Sequence, residues 1–140
     1  MEQQDATAKA VVEKMMRDDQ FSQWLGITVC EIKEGYSKIK MTLRDDMLNG
    51  FGVIHGGVTF SLADSAFAFA CNSRNNLSVA LDTAITFTKA THPGDTLTAE
   101  AKELHNGKST GHYHITVTNR EGVSVAHFKG TCFRTGQTLI

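Results

Sequence analysis

Proline, cysteine and an excess of charge of either sign are all scarce in this chain of 140 residues. It has one proline and three cysteines, and its 14 Lys and Arg residues nearly balance its 15 Asp and Glu residues. A net charge of −1 gives no general attraction to nucleic acid or to an anionic membrane. Cys30, Cys71 and Cys132 form no C-x-x-C pair and have no metal-ligand spacing. We therefore expect reduced, buried thiols, no metal site and a cytoplasmic protein.

The sequence also lacks segments that would direct it to a membrane or divide it into domains. The first residues have no basic stretch followed by an apolar one, so we expect no signal peptide. The longest apolar stretch, Val58 to Cys71, is too short to cross a membrane and is interrupted by Asp64. Without a repeat, a low-complexity segment or a linker, residues 1–140 are predicted to form a single domain.

Near the start of the chain, apolar spacing predicts a helix over residues 5–20, with Asp5 as its cap. Its apolar face is expected to continue through Phe21, Trp24 and Leu25, which would cover one end of a sheet, and Gly26 is expected to stop it. A lid over a ligand is the alternative role of these aromatic residues.

Alternation of apolar and polar residues predicts six strands, most of them joined by short turns. The predicted strands cover residues 27–33, 36–43, 77–89, 96–105, 110–119 and 123–134. Short turns favour antiparallel neighbours, and such a sheet needs one face covered. The predicted fold class is α+β, with a curved antiparallel sheet wrapped around one long central helix.

That helix is predicted in the apolar stretch Val58–Cys71, which a glycine-rich segment precedes. The stretch is apolar on nearly all sides, so the helix should be buried, yet it contains Asp64. A buried carboxylate is costly unless something compensates it, and function is the compensation we expect.

The spacing of His55 and Asp64 predicts a dimer. The two residues are nine positions apart, which places them on opposite sides of one helix and roughly 13 Å apart along its axis. One helix cannot bring Asp64 to the same atom as Gly56, but two antiparallel copies related by a twofold axis can. We therefore expect an active site shared between two subunits.

The motif of Asn49, five residues, His55-Gly56-Gly57, six residues and Asp64 resembles the hotdog-fold acyl-CoA thioesterases. With the strand order, the similarity extends from about Phe21 to Phe133 and is greatest to the phenylacetic-acid-degradation subfamily. The resemblance implies a dimer with paired helices and two shared sites, commonly doubled to a tetramer. It also implies an aryl-acetyl-CoA substrate in phenylacetate catabolism and no separate cofactor, because coenzyme A belongs to the substrate.

Thioester hydrolysis assigns roles to these residues. The Gly56 N–H at the helix N-terminus would stabilise the oxyanion, and Asp64 of the other subunit would be the general base or the nucleophile. By resemblance, Asn49 would position the attacking water. His55 would orient the loop or bind near the thioester. Each has a structural alternative, such as an Asn-Gly turn or a helix-capping histidine. Some relatives have a serine at the position of Ala80, near the acid. Because alanine has no hydroxyl, any water-holding role of that serine would belong here to another group, such as Thr83.

The substrate-binding residues are predicted less directly. Lys89, Lys108 and Arg120 lie near turns where they could meet coenzyme A phosphates, and residues 106–109 look like the basic-glycine hairpin of the family, including Gly107. Gly57 and Phe51 are expected beside the substrate. The acyl pocket is expected between subunits, where Phe51, Phe60, Phe67 and Phe69 are near enough in sequence to line it, although most of these four are expected in the core.

Other functions fit the pattern less well. His112 and His114 share a strand face with threonines and lack a third clustered ligand, which disfavours a metal site. Ser61 lacks the G-x-S-x-G elbow, and Cys71 lies in an apolar run. A hotdog hydratase or dehydratase using His55 and Asp64, and a non-catalytic acyl-CoA-binding protein, remain as alternatives.

Overall fold

The computed structural model describes residues 1–140 as one antiparallel sheet with helices on one side. Its helices are α1 (Glu2–Asp18), α2 (Gln20–Leu25) and α3 (Gly56–Asn72). Its strands are β1 (Thr28–Lys33), β2 (Tyr36–Thr42), β3 (Ser78–Phe87), β4 (Thr96–Asn106), β5 (Thr110–Thr118) and β6 (Ser124–Arg134). None of the helices combines the length and apolar character that crossing a membrane requires.

The six strands pair in the order β1-β2-β4-β5-β6-β3, and every pairing is antiparallel. The concave face of this sheet packs on α3, whose Leu62, Ala66, Phe67 and Phe69 are at most 1% exposed. One face of the sheet buries its apolar residues against this helix. The predicted α+β hotdog architecture, a curved antiparallel sheet around one long helix, is therefore confirmed.

The start of the chain differs in detail from the prediction. The first helix begins at Glu2, so Asp5 lies inside it and does not cap it; its carboxylate instead accepts the backbone N–H of Glu34 at 3.1 Å. Helix α1 ends before Asp19, which caps a separate short helix, α2. Gly26 ends α2 in the left-handed conformation, with φ of 78°, as a helix-terminating glycine does.

Two expectations about burial are wrong. Phe21 and Trp24 do not cover the sheet: they stack on each other with ring centroids 6.1 Å apart and are 55% and 60% exposed. Leu25 does enter the core. Cys30 is exposed on the edge strand β1, whereas Cys71 and Cys132 are buried.

Strand β3 forms the other edge of the sheet and is far less covered than its alternating sequence predicts. Val79, Leu81 and Phe87 are 50%, 62% and 53% exposed. Its β6 neighbour Phe133 is 44% exposed. Edge strands that expose apolar side chains and unpaired backbone groups are surfaces for pairing with another chain.

A buried arginine ties the far end of the sheet to the C-terminus of α3. Arg134 on β6 is 5% exposed and donates to the Cys71 carbonyl at 2.8 Å, the Asn106 amide oxygen at 2.7 Å and the Tyr113 hydroxyl at 2.8 Å. The β4–β5 hairpin over residues 106–109 is thereby placed beside the C-terminal end of α3, at the opposite end of the chain's core from Gly56.

Candidate active site

The loop that leads into α3 is organised by Asn49. Its side-chain oxygen accepts the backbone N–H groups of Phe51 at 2.9 Å and Val53 at 3.1 Å, and a bridge between Leu48 and Ile54 closes the loop. Phe51 stands at the tip and is 90% exposed. Within one chain, Asn49 therefore shapes the loop with its oxygen, while its amide N–H groups stay available to a ligand or water.

His55 caps helix α3. Its backbone is extended, and its ring nitrogen Nδ1 accepts the N–H of Gly57 at 2.8 Å. The carbonyl of His55 accepts the N–H of Val58. These two bonds satisfy the neighbouring N–H groups of the first turn and leave the N–H of Gly56 without an acceptor in the chain. The structure thus separates the two glycines: only Gly56 can donate to a substrate oxygen.

Gly56 lines a cleft of about 410 Å³ between the start of α3 and the end of β3. Gly56 approaches the ring of Phe87 so closely that an added Cβ would lie 3.1 Å from the Phe87 Cζ. Lys89, just beyond β3, lines the same cleft. A glycine with an unbonded N–H, an aromatic side chain and a cation therefore line one small opening.

Asp64 is located two turns further along α3, about 12 Å from Gly56 along the helix axis. Its side chain is half-buried rather than fully buried, and no group of the chain donates a hydrogen bond to it. Burial, followed by the negative charge of Asp19, raises the pKa of the Asp64 carboxyl above its ordinary value. Such a carboxylate is a better base near neutral pH than an exposed aspartate.

Other predicted binding residues are not gathered at this cleft within one chain. Thr83 pairs with Gly130 in the middle of β3, on the face of the sheet that packs on α3. Gly107 and Lys108 lie in the β4–β5 hairpin at the opposite end of the core. Arg120 is at the same end as Gly56, but its guanidinium donates to the Gly94 carbonyl at 3.0 Å.

The phenylalanines of α3 pack in the core, as most of them were expected to, and a phenylalanine of β3 borders the cleft. Phe67 and Phe69 are buried, and Phe60 packs edge-on against Phe128 with ring centroids 5.2 Å apart. Phe87, which the sequence presented only as one position of an alternating strand, is the aromatic residue that contacts Gly56. The contact joins residues far apart in the chain, so no local pattern could have predicted it.

The polar groups elsewhere support neither a metal centre nor a serine nucleophile. No group of three or more His, Cys, Asp or Glu side chains is arranged to hold a metal ion. His112 bonds to Thr131 and His114 stacks on His127, all on the convex face of the sheet. The Ser61 hydroxyl donates to the Gly57 carbonyl at 2.7 Å, one turn back in its own helix.

Comparison with known proteins adds an independent line of evidence. The family model described as "Thioesterase superfamily" matches residues 51–126. The acyl-coenzyme A thioesterase PaaI of Escherichia coli K12 is 43% identical over 125 residues, which are 89% of each chain.

Solved structures agree with this similarity. The E. coli PaaI protein of the phenylacetic acid degradation operon superimposes with a TM-score of 0.93 and 41% identity, covering 96% of this chain and 97% of that one. A Streptococcus mutans protein bound to acetyl CoA superimposes with a TM-score of 0.77 and 29% identity, over 80% of this chain and 90% of that one.

Proposed function

The chain belongs to the thioesterase superfamily, and from this premise we propose that it hydrolyses acyl-CoA thioesters to the free acid and coenzyme A. We further propose that its substrate is phenylacetyl-CoA, a hydroxyphenylacetyl-CoA or a similar aryl-acyl-CoA, as the resemblance to E. coli PaaI suggests. The observation that carries the catalytic part is the unbonded Gly56 N–H, which lies at the N-terminus of α3 where that helix borders a cleft.

The second half of the site comes from a partner subunit. Strand β3 exposes apolar side chains along an unpaired edge, which favours pairing with β3 of a second copy. Two such strands related by a twofold axis run antiparallel, and each α3 then faces its copy in the opposite direction. Asp64 of the partner subunit reaches the cleft that Gly56 of this chain borders. Assembly of two such dimers into a tetramer stays a prediction.

The same arrangement completes the coenzyme A site. Lys89 lies at the cleft, where its ammonium group can meet a phosphate. The hairpin with Gly107 and Lys108 lies beside the start of β3, because Arg134 joins Asn106 to the Ser78 hydroxyl there. Antiparallel pairing brings the start of one β3 to the end of the other, so this hairpin of the partner subunit approaches Lys89.

The reaction follows from these positions. The thioester carbonyl oxygen accepts the Gly56 N–H, and the oxyanion forms against it as the carbonyl carbon is attacked. As a general base, Asp64 takes a proton from water, whose oxygen bonds to the carbonyl carbon; as a nucleophile, its own oxygen bonds there and water later cleaves the anhydride. The carbon–sulfur bond breaks in either route, and the coenzyme A thiolate leaves.

A panel of thioesters tests the function directly. We expect phenylacetyl-CoA and hydroxyphenylacetyl-CoA to release free thiol with a kcat/KM about tenfold or more above that of benzoyl-CoA or fatty acyl-CoA, because a methylene more or less in an apolar pocket is worth about 1–3 kcal/mol. Thiol release is measured with a thiol reagent. Loss of water from an added 3-hydroxyacyl-CoA, giving the enoyl-CoA without thiol release, would instead identify a dehydratase. Binding without turnover would identify a non-catalytic acyl-CoA-binding protein.

Subunit sharing predicts activity in a mixed dimer. One subunit carries Asp64→Asn and the other Gly56→Pro, and two affinity tags isolate the heterodimer. One of its two sites then has both wild-type groups, so we expect about half of the wild-type activity per dimer, although each homodimer is nearly inactive. If Gly56 and Asp64 worked within one chain, every site of the heterodimer would carry a defect, and it would be as inactive as its parents.

A further inference from the structure

The short helix α2 holds a second carboxylate near Asp64. Asp19 caps α2 and accepts two hydrogen bonds from Ser22: the backbone N–H at 2.9 Å and the hydroxyl at 2.6 Å. Each carboxylate oxygen therefore has a donor, which fixes the position of the carboxylate.

A buried contact ties this carboxylate to the central helix. The hydroxyl of Ser22 also meets the hydroxyl of Ser65 on α3 at 2.8 Å. Ser22 is completely buried, and Ser65 is 8% exposed. A buried hydroxyl needs a hydrogen-bond partner, and these two hydroxyls bond to each other. The contact therefore fixes the position of α2 against α3. Asp19 is thus two hydrogen bonds from Ser65, the residue that follows Asp64.

Asp19 is the one charged group of the chain that acts on Asp64. Its negative charge adds to the effect of burial in raising the pKa of the Asp64 carboxyl. No titratable side chain of α1 or of the six strands contributes. Cys71 lies two turns further along the same face of α3. The charge of Asp64 influences the pKa of the Cys71 thiol, but Cys71 is not among the groups that shift the pKa of Asp64.

We propose that Asp19 is a positioning residue of the thioesterase site: Ser22 and Ser65 hold its carboxylate beside the segment of α3 that carries Asp64, and it acts on the reaction through Asp64 of the same chain. The proposal rests on the function proposed above and extends it. A neighbouring negative charge disfavours ionisation of the Asp64 carboxyl. Asp19 itself does not touch the substrate.

The test is the pH dependence of Asp19→Asn, since asparagine keeps the helix cap while losing the charge. Turnover needs ionised Asp64 in either chemical role and is lost as the pH falls through its pKa. Removing the neighbouring charge lowers that pKa, so the acid limb of kcat moves to lower pH. On that limb the variant should be about twofold or more faster than the wild type, with a nearly unchanged plateau. Turnover is followed by the loss of thioester absorbance.

Asp18→Asn is the matched control, because it removes the same charge one residue earlier, from an exposed side chain that does not bond to Ser22. It should leave the acid limb in place. The proposal would be overturned if the acid limb of the kcat profile stayed at the same pH in Asp19→Asn, or if both variants moved it equally. Carbon NMR titration of the Asp64 carboxyl in both variants gives the same answer without turnover, so a wild type that hydrolyses no thioester would refute the proposed function separately.

Discussion

Asp64→Asn should lower kcat by about 10²- to 10⁴-fold, the usual contribution of a general base, and by at least as much if Asp64 is the nucleophile. Asparagine has nearly the same shape, and the Asp64 carboxylate accepts no hydrogen bond that the amide would lose. The fold and the dimer should therefore persist. The measurement is thiol release from the preferred acyl-CoA, together with size-exclusion chromatography of the variant.

The wild-type pH profile gives the same residue a second signature. Because burial and then Asp19 raise the pKa of Asp64, kcat should fall on acidification at a pH above the ordinary aspartate value of about 3.9. Asp18→Asn controls for the loss of a carboxylate as such and should keep the wild-type rate. Turnover that survives in Asp64→Asn would remove this residue from the mechanism and leave the cleft with no base.

Gly56→Pro should reduce kcat by about 10²- to 10³-fold, because proline has no N–H to offer the oxyanion. The position tolerates proline better than any other in α3. Gly56 is the first helical residue, its N–H bonds to nothing in the chain, and His55 already has the extended backbone that precedes a proline. The variant therefore deletes one donor while the helix stays intact.

Gly56→Ala separates the donor from the space around it. Alanine keeps the N–H and adds a Cβ 3.1 Å from the exposed ring of Phe87, which can shift by a few tenths of an ångström. We expect Gly56→Ala to change KM more than kcat, and Gly56→Pro to change kcat more than KM. Circular dichroism checks that both remain folded. Equal kcat losses in the two variants would assign the effect to crowding of the cleft and not to the oxyanion.

Local patterns carried much of the fold prediction because they record burial along each segment. The alternation in residues 110–119 and 123–134 predicted strands within a few residues of β5 and β6, since one face of each packs on the helix. The apolar stretch with one acid predicted α3 for the same reason. The start of the chain was less well predicted, because the local pattern marked neither the start of α1 at Glu2 nor the break at Asp19 that separates α1 from α2.

Alternation predicted β3 as a strand but not its place in the sheet, and the structure makes it an edge strand. Its sequence is that of a covered strand, and the single chain leaves Val79, Leu81 and Phe87 largely exposed. The mismatch is informative, because residues patterned for burial but exposed in one chain indicate a missing neighbour. It supports the dimer by a route independent of the helix geometry that first suggested it.

The amino-acid sequence by itself determined the element types, the buried helix and the candidates Asn49, His55, Gly56 and Asp64, because spacing and polarity are properties of the chain. Only the tertiary structure decided which N–H of the two glycines is free, that Phe87 faces Gly56, and that Asp19 and Ser22 reach Ser65. Those contacts join residues distant in sequence. Strand register and helix packing set such distances. Both depend on contacts between segments, so the sequence of one segment alone does not determine them.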